Sequence, residues 1–318
     1  MKKIKPISWV GKIILAVVIF SVPLSGMAVS QYTGTTAAEF LNIGIGARQV
    51  GMGEAAVAAC DDISSIYWNP AGLTGVKEKQ FTFSHAFWIG ESNHEMIGYC
   101  QPLKGIGIVG CGLSYLLYGN IIGMSDATSV PVNFSASDLA VIVSYATNLS
   151  RFINLGLNVK YIQQAIENEA GSAWALDAGF LVPNMLDGLN IGCEIRNIGF
   201  GLRVSESSSA LPYSLRLGAS YKMLENLLLS FDADISSSDA ASIAVGAEYW
   251  QENVIAFRGG YNTRNIESLG GWAGLSFGIG FRNAVKILGY NDIINIDYAF
   301  VPYGDLVGTH RISTIFKF

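Results

Sequence analysis

The stretch Leu227-Leu228-Leu229-Ser230-Phe231-Asp232-Ala233-Asp234-Ile235 reads with a period of two. Leu227, Leu229, Phe231, Ala233 and Ile235 fall on one side of an extended chain, and Leu228, Ser230, Asp232 and Asp234 on the other. It outruns the roughly five or six residues of an ordinary sandwich strand. A tilted strand needs about 9 to 11 residues to cross a bilayer, so this one reaches across hydrocarbon, with its apolar face to lipid and its carboxylates to an enclosed interior.

The same two-faced pattern recurs through the second half of the chain. Tyr213, Leu215, Leu217, Ala219 and Tyr221 alternate with Ser214, Arg216, Gly218 and Ser220. Leu189, Ile191, Cys193 and Ile195 stand against Asn190, Glu194 and Arg196, and Ile294, Ile296, Tyr298 and Phe300 against Asn295, Asp297 and Ala299. Extending the pattern predicts fourteen strands, near 79 to 89, 93 to 103, 105 to 119, 134 to 149, 152 to 168, 171 to 183, 187 to 199, 211 to 224, 226 to 236, 240 to 251, 253 to 263, 269 to 283, 292 to 302 and 308 to 318. An even count suits a single-chain bacterial barrel. Pairs of aromatics near strand ends, Tyr213 with Tyr221 and Tyr298 with Tyr303, are expected in interfacial girdles.

Connection lengths test the pattern, because such barrels carry short turns on the periplasmic side and longer loops outside. The joins at Leu103 to Gly105, Leu149 to Arg151, Leu224 to Asn226 and Glu252 are tight, whereas Asn120 to Asn133 and Phe200 to Ala210 are long. Ala284 to Asn291 is too long for its side, which points to a misplaced strand boundary there. The chain ends on an alternating run from His310 to Phe318 with an aromatic last residue, resembling the terminal strand by which outer-membrane barrels are recognised for insertion.

Composition agrees with lipid contact: half the residues are hydrophobic, 14% are charged, and the mean hydropathy is +0.36. The uncharged stretch from Gly105 to Ser125 has the length of a spanning helix, but Gly105, Gly107, Gly110, Gly112, Gly119 and Gly123 interrupt it, each costing up to about 1 kcal/mol in a helix. A net charge of -5 argues against a nucleic-acid partner, which calls for a basic surface. At the start, Lys2, Lys3, Lys5 and Lys12 lead into the apolar Ile13 to Phe20 and a small-residue end at Gly26-Met27-Ala28, the layout of a secretory signal. Cleavage after Ala28 or after Ser30 fits equally. The expected organisation is residues 1-28 as signal peptide, 29-78 as a plug segment and 79-318 as the barrel.

Chemistry is sparse. Cys60, Cys100, Cys111 and Cys193 have no CxxC spacing and can bridge or stay free. His85, His94 and His310 lie on different predicted strands without metal-ligand spacing. Ser114, in GLSYL, lacks the second glycine of a nucleophile elbow. Gly44, Gly46 and Gly51 do not fit a dinucleotide-binding fingerprint. No cofactor and no metal is expected, and a soluble enzyme is not.

The segment before the barrel behaves differently, running from Gly44-Ile45-Gly46-Ala47-Arg48 through Met52-Gly53-Glu54-Ala55 and the acidic pair Asp61-Asp62 to Tyr67-Trp68-Asn69-Pro70-Ala71-Gly72-Leu73. These blocks, the alternating strands and the closing Val301-Pro302-Tyr303-Gly304-Asp305-Leu306-Val307-Gly308-Thr309-His310-Arg311-Ile312-Ser313 resemble the PorV/PorQ family of outer-membrane proteins over nearly the whole chain after the signal. That family is similar to the FadL-like transporters of long-chain fatty acids and other hydrophobic compounds. The resemblance implies an all-β membrane protein, a single antiparallel transmembrane β-barrel of about fourteen strands with a short N-terminal plug segment, in the outer membrane of a Gram-negative-type bacterium.

It also implies roles. The block Asn69, Pro70 and Ala71 matches part of the plug in FadL-like relatives, and Arg48 with Asp61 and Asp62 could anchor that plug. The inward charges available to it are Lys160, Arg216, Arg258 and Arg282, and Glu194, Asp232, Asp234, Glu248 and Asp297. Two readings stay open for those charges: mutual pairing, or ion selection. Two stay open for Asn69-Pro70: a rigid turn ending a short helix, since the residue before proline is pushed out of the α region, or a part in gating or ligand contact. Besides outer-membrane lipid, the implied partners are secretion-system proteins or exported cargo of a type IX-like system, met through the loops at Asn120 to Asn133 and Phe200 to Ala210. The alternative is a FadL-like channel for a hydrophobic small molecule, and a third reading is a purely structural barrel. Fold resemblance alone does not choose among them.

Overall fold

A strand with two carboxylates on one face declares its surroundings by which face is hidden. In the computed structural model Leu227–Ser236 is a strand whose Asp232 is 2% exposed while Ile235 is 57% exposed. Burial is inverted relative to a water-soluble protein throughout the wall. Lys160, Glu194, Arg216 and Arg311 are at most 1% exposed, while Val143, Leu157, Trp174, Leu176, Phe257 and Phe277 are each more than half exposed. Apolar exposure on that scale has hydrocarbon as its solvent. The described residues are 35–119, 121–123, 132–204, 207–264, 266–287 and 290–318; the expected signal peptide, 1-28, lies outside them.

Fourteen strands close one antiparallel barrel. They are β1 Gln80–Phe87, β2 Asn93–Leu103, β3 Gly107–Leu117, β4 Ala136–Ser150, β5 Ile153–Ile166, β6 Glu169–Leu186, β7 Leu189–Gly199, β8 Ser214–Leu224, β9 Leu227–Ser236, β10 Ser242–Gln251, β11 Ile255–Asn262, β12 Leu275–Ile287, β13 Tyr290–Pro302 and β14 Gly308–Lys317. Each pairs with its neighbours in the chain, and β1 closes on β14 from Gln80↔Lys317 to Phe87↔His310. Closure is obligatory, because in lipid a free strand edge would leave backbone N–H and C=O groups with no partner. No helix of the described residues is long and apolar enough to cross a membrane.

At the Gln80 and Lys317 end, successive strands are separated by two or three residues, and this is the periplasmic end. The other end carries 88–92, 118–135, 200–213, 237–241, 263–274 and 303–307 between strands. Two of these contain small hairpins, Ile121–Gly123 with Val132–Phe134 and Leu202–Val204 with Ser207–Ser209. The one short outer join, 167–168, caps the tall β5–β6 hairpin.

Strand ends expected from sequence fall within three residues of those observed except at β12. There, 269–274 holds the last residue of a short helix, Ile266–Leu269, then Gly270 and a 3-10 turn, Gly271–Gly274. Gly270 adopts φ +83 between them, a conformation that ends the extended chain, so a glycine-rich apolar run mimicked a strand. The opposite boundary moves as well: β12 runs on to Ile287, paired with Tyr290, and the join that looked too long shrinks to positions 288 and 289. The aromatic girdle is also corrected. Tyr213 and Tyr298 are exposed, at 47% and 37%, but Tyr221 and Tyr303 are buried, Tyr303 by edge-on packing against the Trp88 ring.

Candidate functional site

Residues 39–76 lie inside the barrel. The chain is tied at the outer end, where Ala37 N donates to Ala210 O (2.8 Å) and Ala38 N to Gln164 Oε1 (2.9 Å). It then passes through a 3-10 turn, Glu39–Asn42, and helix α1, Ala47–Val50. From there it reaches α2, Ser65–Trp68, and a last 3-10 turn, Pro70–Gly75, before entering β1 at the periplasmic end. Elements this short do not persist alone. The barrel wall holds them: Ile45, Val50, Ile63, Ile66, Trp68 and Leu73 pack against inward residues of the strands in one cluster.

The wall is recessed to receive this segment. A Cβ on Gly260 of β11 would overlap the backbone of Met52 and Gly53, and one on Gly156 of β5 would overlap Pro70 and Ala71. Glycine is what lets one backbone approach another this closely. Asn69 shows how tightly the turn is held. Its Oδ1 accepts from Ala71 N (3.1 Å) as the cap of the Pro70–Gly75 turn, while its Nδ2 donates to Val57 O (2.8 Å) and Phe180 O (3.2 Å). Pro70 occupies the first helical position, where its missing N–H costs nothing, and Ala71 is fully buried. The block reads as a fastening of the segment to β5 and β6.

Charges stitch the segment to the wall at two levels. On the periplasmic side Arg48 forks onto Glu248, Nε to Oε2 at 2.9 Å and Nη2 to Oε1 at 3.0 Å. Its Nη1 meets Asp61 (2.8 Å) and Asp62 (3.0 Å). Arg258 joins Glu248 (2.7 Å) to Asp297 (2.7 Å), so one chain of alternating charges links α1 to β10, β11 and β13. Burial pulls the Arg48 guanidinium toward losing its proton, but Glu248, Asp61 and Asp62 outweigh it and hold the proton more firmly than usual. On the outer side Arg264 joins Glu54 (3.0 Å) to Asp234 (3.2 Å), and Arg216 lies 3.5 Å from Asp234. Asp232 accepts from Ala56 N (2.7 Å) and Val57 N (2.9 Å).

A third group lies along β5 to β8. Lys160 pairs with Asp177 (2.7 Å) and donates to Asn197 Oδ1 (2.8 Å). Asn197 takes a positive φ of 59 at a register shift between β6 and β7, and this bulge turns it inward beside Arg196. Arg196 Nη2 donates to Leu41 O, and its guanidinium sits over the Tyr67 ring, as Arg216 does over Trp68. Glu194 is fully buried, and neither carboxylate oxygen has a hydrogen-bond partner among the described residues.

Of the residues singled out from sequence, Arg48, Lys160, Arg216, Asp232, Asp234, Glu248, Arg258 and Asp297 are in these networks. Arg282 stands apart, stacked over Trp250 (4.4 Å to the ring centroid) at the periplasmic mouth. Asp177, Arg196, Glu54, Arg264 and Arg311 are lumen charges that the candidate set omitted. Asp177 follows the polar phase of β6 and could have been found by alternation; Arg264 lies in a loop, where no periodicity marks it.

Two cavities flank the filled middle. The outer one, about 320 Å³, lies among Phe40, Trp88, Leu116, Tyr118, Val301 and Tyr303, with Glu39, Glu54, Asp239 and Arg264. The periplasmic one, about 280 Å³, is lined by Arg48, Asp62, Trp250, Arg258, Arg282 and Lys317, among others. No group of His, Cys, Asp and Glu among the described residues could hold a metal. His94 Nε2 and Ser114 Oγ meet at 2.8 Å, but both are buried and line neither cavity. All four cysteines are free, Cys60 and Cys100 buried, Cys193 half-buried and Cys111 exposed on the lipid face.

In fold the chain is similar to the monoaromatic hydrocarbon channel CymD (TM-score 0.57, 12% identity, 86% of this chain and 96% of that one). It is likewise similar to the Pseudomonas putida toluene transporter TodX (0.58, 12%, 84% and 96%) and a Pseudomonas aeruginosa FadL homologue (0.55, 12%, 86% and 97%). At such identities the likeness extends to architecture. No curated protein matches the sequence. The family model described as type IX secretion system protein PorV matches residues 27–239, and PorV and the FadL-like channels are secretion and transport proteins. With a closed fourteen-stranded barrel facing lipid and a match over two thirds of its length, this chain is an outer-membrane protein of a Gram-negative-type bacterium and belongs to the PorV family.

Proposed function

We propose that this barrel works as a closed adaptor of a type IX secretion system, presenting its outer loops to secretion components or exported proteins while its lumen stays sealed. The observation that carries this reading is the filled middle of the barrel. Residues 39–76 are fastened by ion networks at two levels, by the Asn69 cap, and by wall glycines that leave no clearance. In this reading residues 1-28 direct export and 29-78 act as a permanent plug. Arg48, Asn69, Pro70 and Ala71 hold the plug, and the lumen charges serve it by pairing rather than by selecting ions. Affinity capture of the full chain from detergent-solubilised outer membranes tests the proposal. Recovery of secretion-system proteins or exported cargo is expected; their absence, together with sustained single-channel conductance of the purified barrel, would overturn it.

A second reading has its own support. CymD and TodX are described as channels or transporters for monoaromatic hydrocarbons and toluene, and the outer cavity here has an apolar floor. A FadL-like uptake route would require the inner segment to move. Hydrocarbon uptake by cells that depends on this protein, and its loss when the segment is cross-linked to the wall, would favour that reading.

A further inference from the structure

The outer cavity has features that fastening the inner segment does not use. Its apolar lining includes four aromatic rings, Phe40, Trp88, Tyr118 and Tyr303, beside the aliphatic Leu116 and Val301. Tyr118 keeps its place by donating to Asp138 (2.7 Å), and Trp88 by edge-on packing against Tyr303 and by the Arg311 guanidinium over its ring (5.0 Å to the centroid). At the mouth stand Glu39, exposed, and Asp239, half-exposed. Neither lies within ion-pair distance of a cation among the described residues. Glu39 is held instead by Asn42 (3.0 Å), Thr36 and Ser238, and Asp239 by a long contact from Ser238 (3.5 Å) and, beyond ion-pair distance, by the charge of Arg264. The guanidinium that lines the cavity, Arg264, is already held between Glu54 and Asp234.

Charge and shape together select a ligand class. Glu39, Glu54 and Asp239 outnumber Arg264 and the Arg311 guanidinium on the Trp88 ring and leave the surroundings net negative, so a fatty carboxylate would be repelled. A plain hydrocarbon would leave the mouth carboxylates unused. An organic cation satisfies both halves, since aromatic faces attract an ammonium or guanidinium group and carboxylates at the rim pair with it.

We propose that the outer cavity binds an amphipathic cation, an ammonium or guanidinium borne next to an apolar group, with Glu39 and Asp239 taking the charge and the aromatic floor taking the apolar part. The source of that cation rests on the adaptor reading: a lysine or arginine beside an aromatic or aliphatic side chain of an exported protein.

Three probes that share one ring test the cavity itself on the full chain in detergent: tryptamine (cationic), 3-ethylindole (neutral) and indole-3-propionate (anionic), followed by calorimetry or ligand-observed NMR. Tryptamine is expected to bind roughly fivefold or more tighter than 3-ethylindole, and the propionate most weakly. In the Glu39→Gln/Asp239→Asn double variant the tryptamine affinity should fall to that of the neutral probe, while heat-modifiable migration of the barrel stays unchanged. Equal binding of all three probes, preference for the neutral or anionic one, or an unaltered affinity in the double variant overturns the proposal. The acetylated, amidated tripeptide Leu-Lys-Phe against its Lys→norleucine analogue tests the source. Preference for the lysine peptide supports a protein origin, and tryptamine binding without it removes that origin while leaving the cavity's chemistry. Failure of the adaptor reading is scored separately, by the capture experiment.

Discussion

Arg48 is the side chain on which the periplasmic half of the lumen turns, because one guanidinium serves a buried carboxylate on β10 and two acids of the inner segment. Asp61 is 70% exposed, so its share is small, but Glu248 and Asp62 are buried. Removing one partner of a buried pair is worth about 3 to 5 kcal/mol, and Arg48→Ala is expected at the lower end because Arg258 still holds Glu248. Lysine cannot replace the fork geometry. Cys60 reports the result: it is buried, and burial together with Asp62 pushes its thiol up to about 12, so the native protein should resist maleimide. Arg48→Ala should label readily when Cys100 is replaced by alanine and Cys111 and Cys193 by serine; continued protection would show that the network is dispensable. The pH dependence has a definite sign. Burial raises the Asp62 carboxyl, but Arg48, Ser64 and Lys317 overcome this and hold it below the usual range. A depressed acid stabilises the fold above its unfolded value, near 3.9, and that contribution is lost as pH falls through the lower folded value. The difference between the native protein and Arg48→Ala in the temperature at which the folded, fast-migrating form is lost on electrophoresis should therefore be flat from neutral pH to about 4 and decline only below it.

At the scale of strands, adjacent glycines make a controlled comparison. A Cβ on Gly260 would strike the inner segment, whereas one on Gly259 would meet nothing within 4 Å. Gly260→Ala is expected to cost about 1 to 3 kcal/mol by overpacking and to lower the temperature at which the barrel loses its fast-migrating folded form on electrophoresis. Gly259→Ala should leave it in place, and equal behaviour of the two would mean that the segment does not press on the wall. In the outer loop between β13 and β14, Val307 is held at φ 68, a costly conformation for a β-branched residue. Val307→Gly should raise the same temperature by the equivalent of about 1 kcal/mol. The strands themselves were legible in the sequence because alternation carries a chemical label on both phases, as in Phe231-Asp232-Ala233-Asp234. The recess was not: Gly156 and Gly260 look like weak points of a strand until the backbone they admit is known. Arg48 and Glu248 could each be proposed as lumen charges, but their pairing joins positions 200 residues apart, which no local pattern encodes. The Asn69 and Pro70 turn could be foreseen, whereas its grip on Val57 and Phe180 could not.

For the molecule as a whole, the question is whether the inner segment ever leaves its seat, and the two functional readings answer it oppositely. An adaptor needs only the outer rim, so immobilising the segment should be harmless. A channel must displace at least part of the chain between Ala47 and Leu73, breaking the Arg48 fork or the Asn69 cap, and immobilisation should abolish transport. Ala47 N donates to Ser313 Oγ of β14 at 3.0 Å, which brings the backbone of the segment against a wall side chain at a place where a bridge can be introduced. The Ala47→Cys/Ser313→Cys variant, oxidised in the membrane and compared with its reduced form, is expected to capture secretion partners at the same level in both states. If oxidation instead blocks uptake of a hydrocarbon that the reduced form passes, the segment is a moving gate. The fastenings described above would then be the barrier that a ligand or partner overcomes, and with two ion networks to break that displacement would require a large differential binding energy.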